Sequence, residues 1–334
     1  MDTTHLLLAD VWFFMLGFIL VLYVILDGFD LGVGMLSLFA GDERREIMMT
    51  SLSSVWDANE TWLVLLGGVL FGAFSMVYGI VLHALYIPIM LMLLGLILRG
   101  VAFEFREHAQ TKWPWNLAFC GGSFLAAGSQ GLALGAWIEG IPVADGAFAG
   151  LAWDAFSPFS VIVAMGVVVG YNLLGATYLV MKTEGRLQSH SVHWARVAAW
   201  QMIMVAGLVT LWTPLVSENV AERWLTQPYH FGVYPLLALF AFAMLLRGLR
   251  RGYEKAPFFW CISIFLVSFT GLALSVYPYL IPPAITIHQA ASSSHTLAFM
   301  LTGIGILLPI MLIYNGYQYL VFRGKVRAEE SYAE

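Results

Sequence analysis

Charge is what this chain lacks. Only 11% of its 334 residues are charged, whereas 60% are hydrophobic. A soluble domain carries about 25% charged residues, so a water-soluble enzyme is excluded. Cysteine is scarce too. Cys120 and Cys261 both fall inside apolar runs and have no metal-ligand spacing. They read as small packing residues, and a disulfide framework or zinc motif is excluded. No Lys or Arg precedes the first apolar run in MDTTHLLLAD. A signal peptide needs a basic start, so the first span is expected to be retained. No P-loop, dinucleotide fingerprint or nucleophile elbow occurs, and nothing supports nucleic-acid binding.

What is abundant is apolar sequence, in runs of about 18 residues or more. The chain reads as an all-α polytopic membrane protein, one integral-membrane domain over 1–334. Nine transmembrane helices are expected, at roughly 7–38, 55–74, 77–98, 117–138, 157–181, 196–216, 231–249, 257–280 and 297–322. The first run would be about 51 Å long at 1.5 Å per residue. It exceeds a hydrocarbon core of about 30 Å and must tilt or protrude. The apolar stretch from Trp62 to Leu98 is too long for one crossing, which predicts a tight outer turn near Ser75–Tyr78.

Basic residues orient the count. With the N-terminus outside and the C-terminus inside, the inner loops hold Arg44, Arg45, Arg99, Arg106, Lys112, Lys182, Arg186, Arg196, Arg247, Arg250, Arg251 and Lys255. Arg323, Lys325 and Arg327 follow in the tail, and only Arg223 falls outside. This is the positive-inside pattern of a cytoplasmic membrane protein. One span more or fewer would scramble it. Glycines four apart, as at Gly28 and Gly32 or Gly131 and Gly135, suit close helix packing. The outer acids Glu139, Asp145 and Asp154 read as solvated, and SSSHTL as a loop running into the last helix.

The same orientation gathers the chain's few intramembrane charges at one depth. Asp27 and Asp30 lie in the inner half of the first span. Asp57 and Glu60 open the second, and Arg99 closes the third with Glu104 and Arg106 just beyond. Each carboxylate pair is three residues apart and shares a helix face. A charge in lipid costs roughly 2.5–3.5 kcal/mol even on lenient scales. Two readings fit such a cluster equally: a proton relay, or a salt-bridge knot tying helix ends. Asn59 reads as a cap at the start of the second span.

Haem b between helices needs axial ligands at membrane depth. Of eight histidines only His83 lies deep in a span; His5, His108, His190, His193, His230, His288 and His295 fall in loops or near ends. No haem is expected on this chain's own side chains, and no metal. Gln130, Asn172, Asn315 and Gln318 are expected to hydrogen-bond between helices.

The segments DGFDLGVGML, WDANETWLVLLGG and LRGVAFEFR together resemble subunit II of the cytochrome bd-type quinol oxidases. They occupy the first third of the chain. Beyond it the likeness lies in span count and the stretch GATYLVMKTEG. The short length is similar to the branch called cyanide-insensitive. The resemblance implies two four-helix bundles plus a peripheral helix. It implies a tight heterodimer with a larger subunit I that carries b- and d-type haems and the quinol-oxidising loop, and a small single-span subunit is an optional third member. Such a complex oxidises quinol near the outer face and reduces O₂ to water with cytoplasmic protons. Asp27 and Asp30 match the family's DGFD motif, Asp57 its WD motif, and Arg99 the arginine closing the third span. Glu60 stands where the family varies between acid and amide. These positions line a hydrophilic path toward the haem subunit in the family, which weights the cluster toward proton delivery. Some members hold a quinone in this subunit, but no residue here is assigned to it. Two rival readings remain: a scaffold subunit whose carboxylates are structural, and a secondary transporter. The latter would place its charges nearer the midplane, on repeated halves.

Overall fold

The computed structural model describes residues 3–326. Arg327, the last of the inner basic residues, lies outside them. In chain order the helices are α1 (Thr3–Leu36), α2 (Asp42–Thr50), α3 (Trp56–Ala73), α4 (Ser75–Ala84), α5 (Tyr86–His108), α6 (Trp113–Glu139) and α7 (Pro158–Lys182). There follow α8 (Gly185–Val216), α9 (Glu218–Thr226), α10 (Pro228–Arg250), α11 (Ala256–Val276), α12 (Ile287–Ala290) and α13 (Ser294–Val321). Two small antiparallel hairpins, β1 (Val143–Ala144) with β2 (Ala147–Phe148) and β3 (Tyr279–Ile281) with β4 (Ile285–Thr286), lie in loops. Among the described residues, eight helices are long and apolar enough to cross a membrane. The chain is an all-α polytopic membrane protein.

The expected second span is present as α3, 18 residues long, but Asp57, Asn59 and Glu60 in its first turns keep it out of that set of eight. The expected third span is corrected. No single helix runs over 77–98. The backbone breaks at Phe74, forms the ten-residue α4, breaks again at Leu85 and only then starts α5. Pro88 has no N–H to give the Ala84 carbonyl, so a continuous helix through Leu85 would lose that bond. The first break, at Phe74, falls one residue ahead of the turn expected near Ser75–Tyr78.

Caps follow the sequence. Ser157 accepts from the Ser160 N–H at 2.9 Å ahead of Pro158, and Ser293 accepts from Thr296 N–H at the start of α13. Arg45 donates to the carbonyls of Ser37 and Ala40, satisfying acceptors just past the end of α1.

α1 is the hub, packed on α3, α6 and α7 and touching α11 and α13. Its crossing with α7 is backbone on backbone. A Cβ on Gly32 would strike the Tyr171 carbonyl, and one on Gly175 would meet the backbone of Gly32 and Val33. Leu173 to Val180 of α7, beside this contact, are all buried. Two large apolar clusters result. One surrounds Phe29, Tyr178 and Phe258 near the Asp30 end of α1. The other surrounds Trp12, Trp62 and Phe74 toward its N-terminus. Cys120 and Cys261 are buried free thiols.

Candidate functional site: a buried carboxylate cluster

α1 carries Asp27 and Asp30 inward at 1% exposure each, and α5 carries Arg99 to them at 2%. Arg99 Nη1 donates to Asp27 Oδ1 at 2.6 Å. Its Nη2 donates to Glu60 of α3, which keeps 28% of its side chain open. One guanidinium thus ties three helices. Asp30, a single turn from Asp27, takes a different partner. Its Oδ2 accepts from Asn59 Nδ2 at 2.8 Å, and Asn59 Oδ1 accepts from the Tyr319 hydroxyl at 2.8 Å. That link adds α13 to the knot.

The cap reading of Asn59 is therefore corrected. Val55 occupies the N-cap position of α3, without a side-chain bond. Asn59 is fully buried and joins Asp30 to Tyr319. An Asn this close to a helix start reads as a cap because the polar partner supplied by α13 is invisible in sequence.

Charge counting sets the site's chemistry. Asp27, Asp30 and Glu60 face one cation, Arg99. Leaving every acid ionised would bury uncompensated negative charge at a cost of several kcal/mol. Asp27 Oδ2, Asp30 Oδ1 and Arg99 Nε are buried with no protein partner among the described residues. The cluster thus holds acceptor sites that the fold itself leaves open.

Asp57 and Glu104 are not brought in. Asp57 is exposed and heads a stripe down α3 that continues through Thr61, Val64, Gly68 and Phe71. Glu104 is exposed on α5. Spacing alone put Asp57 and Glu60 on one face, but the two diverge because that face straddles the rim between buried and open surface.

Sequence reading missed two groups. The first is deeper. Tyr171 donates to Gln130 Oε1 at 2.6 Å, and Gln130 Nε2 donates to Tyr23 Oη at 2.7 Å. Tyr23 sits one turn before Asp27 on α1. Gln130 was flagged as an interhelical bond; its tyrosine partners gave no signal. Gln318 also bonds across elements, to the Ser54 carbonyl. Asn315 does not: it donates to Met311 O on its own helix.

The second missed group lies at the surface end. Arg106, 2% exposed, donates to Glu46 of α2 at 2.8 Å and to Asn116 of α6 at 2.6 Å, and Lys112 adds 3.3 Å to Glu46. Burial pushes the Glu46 carboxyl up, but the hydrogen bond and charge of Arg106, with Lys112, outweigh it and hold the carboxyl below its ordinary value. Glu46 sits in the charged stretch DERREIMMT, within the expected inner loop that holds Arg44 and Arg45, and that stretch forms α2. The outer acids are also engaged in part. Glu139 accepts from Ser157 and Asp154 from the Leu151 N–H, while Asp145 makes the positive-φ turn between β1 and β2.

His83 is exposed on α4, its ring 5.2 Å from that of Phe148. Among the described residues no group of three or more His, Cys, Asp or Glu is arranged to hold a metal ion.

Residues 8–322 match the family model of cytochrome bd terminal oxidase subunit II. The chain is 30% identical to cytochrome bd-I ubiquinol oxidase subunit 2 of Escherichia coli (strain K12), over 97% of this chain and 96% of that protein. It is 26% identical to cytochrome bd ubiquinol oxidase subunit 2 of Bacillus subtilis (strain 168), over 97% and 98%. Its fold superposes on a chain of the bd oxidase from Geobacillus thermodenitrificans with a TM-score of 0.78, covering 94% of this chain and 99% of that one at 21% identity. The chain belongs to the cytochrome bd terminal oxidase subunit II family.

Proposed function

We propose that this chain assembles with a larger haem-bearing subunit I in the cytoplasmic membrane of a prokaryote, in a complex that oxidises quinol and reduces O₂ to water. In this reading it spans the membrane nine times, N-terminus outside and C-terminus inside, as two four-helix bundles plus a peripheral helix. The 18-residue α3 is the crossing with the most polar start. The b- and d-type haems belong to the partner.

The chain's own task is proton uptake. Glu60, the partly open member, exchanges with the surface at the rim where Asp57 is exposed. Asp27 and Asp30 hold the proton inside, and Arg99 fixes the three helices around them. The observation that carries this reading is the pairing of Asp30. A carboxyl buried to 1% exposure faces a neutral amide and keeps one oxygen unpartnered. A purely structural acid would be expected to end on a cation.

The test is proton uptake by the purified complex during a single O₂-reducing turnover. Asp30→Asn is expected to slow uptake and turnover while haem content stays normal. Full turnover and uptake across pH would leave the scaffold reading. That second reading has its own support, because Arg99 ties α1, α3 and α5 whatever protons do.

A further inference from the structure

Away from the carboxylate cluster, Arg196 in the first half of α8 meets the arginine-rich last turn of α10. Arg196, eleven residues into α8, donates from Nη2 to the Leu249 carbonyl at 3.0 Å, which sets the last turn of α10 beside the first half of α8. α10 stops in a tight glycine turn. Gly252 takes φ +73° and the Tyr253 N–H returns to the Gly248 carbonyl at 3.0 Å. This turn fixes Arg247, Arg250 and Arg251 beside Arg196.

A hollow opens between the two helices, and a second adjoins it along α10. The first, of about 220 Å³, is lined by Arg196, Trp200, Leu246 and Arg250. The second adds Arg247 and Arg251 and shares Leu246 and Arg250. All four arginines are exposed and none makes an ion pair among the described residues. Glu254, just past the turn, is taken: Lys325 bonds it at 2.7 Å and holds its carboxyl below the ordinary value, with Gln188 as a second donor. The helix dipole accounts for cations in the last turn of α10, and the positive-inside pattern for their side of the membrane. Neither accounts for an arginine arriving from a second helix around a hollow floored by leucine and walled by an indole.

The surface running on from this hollow is apolar. Met204 and Leu208 of α8 and Phe240 of α10 are 68%, 46% and 57% exposed. A ligand that fits therefore has an anionic head and hydrocarbon chains. We propose that the groove between α8 and α10 is a binding site for an anionic phospholipid, its phosphate held by Arg196 and Arg250 against Trp200 and its acyl chains along Met204 and Phe240. Free phosphate would find the arginines but no use for the apolar wall.

The experiment uses the intact complex, stripped of lipid in neutral detergent. It is titrated with phosphatidylglycerol, and separately with phosphatidylcholine and inorganic phosphate, and bound lipid is counted by native mass spectrometry. Wild type is expected to hold phosphatidylglycerol in preference to phosphatidylcholine, with no displacement by phosphate. The Arg196→Gln/Arg250→Gln pair should weaken that binding about thirtyfold, as ~1 kcal/mol per basic residue implies at ~1.4 kcal/mol per tenfold. Arg247→Gln/Arg251→Gln should weaken it too, while Arg223→Gln, at the far end, should not. Unchanged phosphatidylglycerol binding in Arg196→Gln/Arg250→Gln overturns the proposal. So does equal binding of phosphatidylcholine, or displacement by phosphate. Binding that appears only after removal of 327–334 would assign the groove to that acidic segment and overturn it as well.

Discussion

Asp30 is bonded to Asn59, not to Arg99. The amide donates to its Oδ2 at 2.8 Å, while the guanidinium one turn away is spent on Asp27 and Glu60. Two acids three residues apart on one helix thus have different partners. Asp27 has a fixed cation. Asp30 has a neutral donor that tolerates either protonation state.

Asn59→Leu strands both Asp30 and the Tyr319 hydroxyl. Each unsatisfied buried polar group costs about 1–3 kcal/mol. The assembled complex is expected to melt at a lower temperature and turn over more slowly. An unchanged melting temperature in a scanning calorimeter would refute the linking role of Asn59.

Arg99→Ala removes one partner of a buried ion pair and leaves Asp27 facing nothing, a loss of about 3–5 kcal/mol. Yield of assembled complex should fall along with activity. Arg99→Lys should recover little, because an ammonium cannot offer the planar fork that spans Asp27 and Glu60. Normal yield and normal haem spectra of Arg99→Ala would count against this.

Asp57→Asn gives the opposite pattern. Asp57 is exposed and makes no bond that the fold needs, so stability should change by no more than about 0.5 kcal/mol. Turnover is nonetheless expected to slow more than haem content alters, if protons enter beside Glu60. Full turnover across pH in the purified variant would remove Asp57 from the path.

The Glu46–Arg106 clamp carries a pH signature. Its folded-state carboxyl lies below the ordinary value of 4.5, so its stabilisation is fully present above that value and lost as pH falls through the lower folded one. The gap in melting temperature between wild type and Glu46→Gln should therefore be flat from neutral pH down to about 5 and close only in more acid buffer. A gap that closes between pH 8 and 6 would point to another group.

Gln130→Leu strands the hydroxyls of Tyr23, one turn before Asp27, and of Tyr171. Loss of stability with proton uptake intact would mark the Tyr23–Gln130–Tyr171 chain as structural. Slower uptake in a variant of unchanged stability would make it part of the path.

Hydropathy runs gave the helices at 117–138, 157–181, 231–249 and 297–322 to within a few residues of α6, α7, α10 and α13, because apolar length is a local property. The break at Phe74 was legible to within a residue, because the apolar run Trp62–Leu98 is too long for one crossing; the second break, at Leu85, was not. Asp27, Asp30, Glu60 and Arg99 were legible because charge in an apolar run is rare and costly. Tyr23, Tyr171 and Tyr319 were not, because tyrosine is ordinary in a membrane helix and its hydroxyl gains meaning only from what lies opposite.

By itself, then, the sequence determined that the chain lives in a membrane and that a few charged groups interrupt its apolar runs. Hydrophobic spacing and the cost of a charge in hydrocarbon require no knowledge of neighbours. Only the tertiary structure decided which acid meets Arg99, which meets Asn59, and that Asp57 and Glu104 stay at the rim. Those outcomes depend on how α1, α3, α5 and α13 rotate against one another, and that rotation is set by packing between helices far apart in the chain.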